Sequence, residues 1–69
     1  MSRGEALEKV ARARVANLEA LDLLRAVAQW AAADDQLESV YDATDALVAL
    51  LALTDYATKG IVNEISSAR

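Results

Sequence analysis

Apolar residues recur at gaps of three and four along almost the whole chain. Between residues 4 and 33, Leu7, Val10, Leu18, Leu21, Leu24 and Ala28 share one helical face. The acids Glu5 and Glu8 near its start suit a helix N-terminus, where the backbone dipole favours negative charge. Asp34-Asp35 then interrupts the pattern. Asp35 stands three residues before Glu38, a spacing that predicts the cap of a second helix. From about residue 36 to 66, Leu37, Val40, Thr44, Leu47, Leu51, Thr54, Thr58, Ile61 and Ile65 form another stripe with the same gaps. Two helices of similar length joined by a short acidic turn predict an all-α fold. It is an antiparallel hairpin, with helices at about 4–33 and 36–66, forming one domain over residues 1–69.

Two places could break the second helix. Gly60 costs about 1 kcal/mol relative to Ala in a helix interior. Thr54-Asp55 could cap a third helix, which would give a monomeric three-helix bundle. The apolar stripe crosses both places in phase, so one continuous helix is the expectation.

The chain carries more apolar positions than one helix–helix seam can use. Every residue from 46 to 53 is Ala, Leu or Val, and eight residues circle a helix more than twice. Leu47 and Leu51 can face the first helix, so Leu50 and Leu53 must point away. On the first helix Leu23, Val27 and Trp30 form a second stripe, expected roughly opposite its main face and extended by Ala16 and Ala20. Left in water, these stripes would make the kind of apolar patch that marks an interface. The expected solution is self-association of two hairpins into a dimeric four-helix bundle, with Leu23, Val27, Trp30, Leu50 and Leu53 at the interface.

Composition narrows the alternatives. A chain of 69 residues buries a modest core and usually needs a staple or a partner. It has no Cys and no His, which removes disulfides and the usual zinc ligands, and no acidic loop has calcium-binding spacing. No metal or cofactor is expected, and oligomerisation is the remaining staple. The net charge of −4 argues against nonspecific nucleic-acid binding. Residues 1–33 carry a net +1 and residues 34–69 a net −5, which suits antiparallel pairing of the two arms. The charged N-terminal stretch predicts no secretory signal. The eight-residue apolar run falls far short of the roughly 20 residues a membrane span needs, so a cytoplasmic protein is expected. Arg outnumbers Lys among many Ala, Val and Asp residues, a bias that fits a bacterial or phage protein.

Little in the sequence points to chemistry. Arg14 stands where an apolar residue is expected. Counting from a turn near residue 34, it lies level with Thr54 and Asp55, so Arg14, Asn17, Thr54, Asp55 and Thr58 predict a polar layer. An ion pair between Arg14 and Asp55 that fixes register accounts for the layer; an anion clamp at Arg14 is the alternative. Arg25 is expected near Asp42 and Asp45 in a rim salt bridge, and Trp30 near Tyr41. The acids Asp34, Asp35, Glu38, Asp42 and Asp45 read as a solvated face. Lys9, Arg12, Arg14 and Arg25 are diluted by Glu5, Glu8, Glu19 and Asp22, which weakens a nucleic-acid reading. The pattern therefore predicts a non-enzymatic interaction protein, a homo-oligomeric accessory or regulatory factor that binds another protein. A structural subunit of a larger helical assembly is the alternative, and a small-anion binder or enzyme built on the Arg14 layer ranks behind it.

Overall fold

The computed structural model describes residues 1–68. Helix α1 spans Arg3–Ala32 and helix α2 spans Glu38–Ser67, joined through a single 3₁₀ turn at Asp35–Leu37. Ser2 opens α1: its hydroxyl accepts the Glu5 N–H at 3.1 Å, satisfying one of the donors a helix start leaves free. The signal was present in the sequence, because Ser2 and Glu5 have the spacing of a capping box. At the turn the cap is Asp34, whose carboxylate accepts the Gln36 N–H at 2.9 Å. The expectation that Asp35 caps the second helix is thus corrected. Asp35 begins the 3₁₀ turn, and α2 starts after Leu37, which makes no side-chain cap bond.

Helix α2 runs unbroken through Thr54-Asp55 and Gly60, so a third helix starting at Thr54 does not form. The Thr54 hydroxyl donates to the Leu50 carbonyl one turn back, inside a continuing helix. At the open end of the hairpin Arg3 of α1 donates to the carbonyl of Ala68, just past α2.

The seam between the helices follows a seven-residue repeat. From α1 it takes Leu7, Val10, Arg14, Asn17, Leu21, Leu24, Ala28 and Ala31. From the turn it takes Leu37, and from α2 Thr44, Val48, Leu51, Asp55, Thr58, Val62 and Ile65, with the partly exposed Tyr41 at the turn end. This differs from the expected stripe on α2. Val48, Asp55 and Val62 face α1, while Val40, Leu47, Thr54 and Ile61 lie outside the seam. The two sets differ by one residue, or about 100° of rotation. On α1, Asn17 takes the inward place and Leu18 lies exposed. Polar groups hold the observed frame. Asn17 Nδ2 donates to the Leu51 carbonyl at 2.9 Å, and Arg14 meets Asp55.

The core that results is thin. Leu21, Ala28, Ala31, Thr44 and Thr58 are the buried residues, and no large side chain is wholly enclosed among the described residues. Thr44 donates to the Val40 and Tyr41 carbonyls and Thr58 to that of Asp55, so both hydroxyls are satisfied within their own helix. The hairpin measures 54 × 15 × 14 Å, with a radius of gyration of 15.8 Å. A compact domain of this length has a radius of about 11 Å. Its accessible surface is 5224 Å², against about 4,200 Å² for a compact monomer of 7.4 kDa.

Candidate interaction surface

Two flanks border the seam, and they differ in character. Reversing chain direction and turning to face the partner helix cancel, so equivalent seven-residue positions on the two helices fall on the same side of an antiparallel pair. On one side α1 contributes Ala13, Ala20 and Val27 beside the seam, with Ala16, Leu23 and Trp30 further out. On that same side α2 contributes Val40, Leu47, Thr54 and Ile61, with Ala43, Leu50 and Ala57 further out. Between Ala13 and Trp30, and between Val40 and Ile61, this flank carries no charged residue. Thr54 is its one polar position, and that hydroxyl is bonded internally. Lys9 and Glu64 bound it at the open end.

The large side chains of this flank face water. Trp30 is 64% exposed, Leu23 63%, Leu50 58% and Leu47 46%, with Val27, Val40 and Ile61 also exposed. The second stripe of α1 was expected opposite its main face. The structure puts its residues on one flank instead, Val27 beside the seam and Leu23 and Trp30 further out, because the inward face of α1 centres on Leu21 and Leu24. Leu50 joins them from α2. Leu53 is exposed too, but it lies on the back of α2, diametrically away from α1 and at the edge of the apolar flank. Sequence reasoning missed Val40, Leu47 and Ile61 as flank residues, having assigned them to the seam.

The opposite flank is mixed. Leu18, Arg25, Val15 and Asp22 of α1 lie there with Glu38, Asp42, Asp45, Lys59 and Tyr56 of α2. Tyr41 lines a shallow groove with Ala31, Ala32, Asp34, Asp35 and Glu38 on this side, whereas Trp30, expected near it, lies on the uncharged flank. No ion pair joins Arg25 to Asp42 or Asp45, and all three residues are exposed. The rim salt bridge expected there is absent from the structure.

The polar layer sits toward this mixed side of the seam. Arg14 Nε donates to Asp55 Oδ1 at 3.1 Å, and Lys59 Nζ approaches Asp55 Oδ2 at 3.6 Å. The Arg14 side chain keeps 40% of its surface in water and that of Asp55 17%. Two cations thus share one half-sheltered carboxylate, and the guanidinium is already engaged. Thr54 was expected in this layer; its place on the apolar flank takes it out. On α1, Arg12 pairs with Glu8 at 2.8 Å on an exposed surface.

Among the described residues no cluster of acids could hold a metal ion, and no helix is long and apolar enough to cross a membrane. No family model matches the chain, and no curated protein or solved structure is similar to it.

Proposed function

We propose that this chain is a non-enzymatic interaction protein, which self-associates through its uncharged flank into a dimeric four-helix bundle. Its charged outer surface then serves another protein, in the manner of a small cytosolic accessory or regulatory factor. The Arg-rich, Ala-rich composition fits a bacterial or phage origin.

The observation that carries the reading is the surplus surface and where it lies. The lone hairpin exposes about 1,000 Å² more than a compact monomer of its mass. A standard protein interface buries about 800 Å² on each partner. The surplus matches that requirement, and the uncharged flank is the part of the surface with the apolar character for it. Nothing comparable supports catalysis. Cys and His are missing from the sequence, the acids near the turn are solvated, and Arg14 is held by Asp55.

Light scattering tests the proposal. At micromolar concentration the expected mass is twice the 7.4 kDa of the chain. A mass that stays at 7.4 kDa into the hundreds of micromolar would overturn self-association. If such a monomer instead formed a stable one-to-one complex with a different helical chain, the protein would be a structural subunit.

A further inference from the structure

The uncharged flank is graded along its length, and so is the charge of the hairpin. Near the turn the flank presents Leu23, Val27, Trp30 and Val40 with Ala43; toward the open end it presents Ala13, Thr54 and Ala57, with Ile61 as its one large side chain. Bulk therefore declines from one end to the other. Two such wedges laid with their turns together would crowd at the turns and gape at the open ends. Laid with turns at opposite ends, the bulky half of each flank faces the mostly small half of the other, which is what close packing requires.

Charge points the same way. Residues 29–45 hold five acids, Asp34, Asp35, Glu38, Asp42 and Asp45, and no base. Two turns side by side would gather ten negative charges at one end of a narrow bundle. The open end carries Arg3, Lys9, Arg12 and Lys59 among its acids. Placing each turn beside the other copy's open end, where Glu5, Glu8, Asp55 and Glu64 balance those bases, keeps the two acidic turns apart.

We infer that the second copy covers the uncharged flank head to tail, with the two turns at opposite ends of the bundle and the two-fold axis through the middle of the flank. This rests on the self-association proposed above. In this arrangement Trp30 lies over the partner's open end, and Leu23 lies level with the partner's Ala13.

The native chain has no cysteine, so one label site can be placed at will. Ala33 is exposed and lies off the flank, at the end of α1. A nitroxide on an Ala33→Cys variant, read by pulsed dipolar spectroscopy beside a light-scattering mass, distinguishes the arrangements. The expected result is a dimer whose labels stand apart by close to the 54 Å length of the hairpin. Mixing it with a labelled Ser67→Cys variant should add a short distance, because each turn then neighbours an open end. A dimer whose Ala33 labels lie within about 20 Å, two helix spacings, would overturn the head-to-tail arrangement and leave self-association standing. So would any short component in the unmixed sample. A monomeric mass with no dipolar signal would overturn both.

Discussion

Leu50 is the most direct place to break the proposed assembly. It is 58% exposed in the lone hairpin and stands in the middle of the uncharged flank, away from α1. Full burial of a leucine side chain is worth about 1.5–3 kcal/mol, so roughly half of that remains to be gained when a second copy covers it. Both copies contribute, giving about 2–3 kcal/mol for the dimer. Leu50→Glu forfeits that gain and also places an unpaired carboxylate in each half of the interface, at several kcal/mol apiece. The loss should exceed about 4 kcal/mol, which is about a thousandfold in dissociation constant. Glu and Leu have similar helix propensity, so the substitution does not attack α2 itself. Sedimentation equilibrium or light scattering should find monomer at concentrations where the native chain is dimeric. Helicity could fall as well, because the five buried residues of the lone hairpin make a thin core, and association would add to the stability of the fold by mass action. Val15→Glu is the control: Val15 is 66% exposed but lies on the mixed flank, and its mass should not change. Retention of the dimer by Leu50→Glu would refute the assignment of the flank. Equal dissociation by Val15→Glu would show that the effect is general charge repulsion.

Three other outcomes are expected. In a double-mutant cycle with Arg14→Leu and Asp55→Leu, the coupling should be about 1 kcal/mol, because Arg14 is 40% exposed and solvent screens the pair; a coupling near zero in denaturant midpoints would mean the pair does not act in solution. Trp30 emission should be blue-shifted in the assembled protein and move to longer wavelength on dilution below the dissociation constant, whereas a water-like spectrum at every concentration would remove Trp30 from the interface. Gly60→Ala should stabilise the protein by about 0.5–1 kcal/mol, since a Cβ there meets no atom within 4 Å and the position is interior to α2; an unchanged or lowered melting temperature would contradict a continuous helix at that point.

The hairpin itself was legible because its signals reinforce one another. The apolar periodicity stops at Asp34-Asp35 and resumes after it, and the stripe continues in phase through Thr54 and Gly60. The rotation of α2 was not legible. Leu37, Thr44, Leu51, Thr58 and Ile65 belong to both possible stripes, and either Val40, Leu47 and Ile61 or Tyr41, Val48 and Val62 completes an apolar set. Counting hydrophobic residues favours the first set. The structure takes the second, which puts Asp55 rather than Thr54 against Arg14 and leaves Leu47 outside. The same inversion occurs on α1, where Asn17 is inside and Leu18 outside. A rule that sends the most apolar residues into the seam fails when the chain has more of them than the seam can hold.

That inversion also sorts the polar layer from the apolar flank. Arg14 and Asp55 occupy seam positions that lean toward the mixed side, and Lys59, which shares the Asp55 carboxylate, lies on that side. The ion pair therefore keeps its access to water while the other edge of the seam stays free of charge. A second hairpin laid on the uncharged flank would cover Leu47, Leu50 and Trp30 without burying Arg14, Asp55 or Lys59. The desolvation that makes buried ion pairs expensive then never arises on assembly. The Arg14–Asp55 coupling should consequently be the same in the dimer and in the Leu50→Glu monomer, if that variant remains folded. A coupling that rises severalfold with association would place the ion pair inside the interface, and would move the interface to the opposite flank of the hairpin.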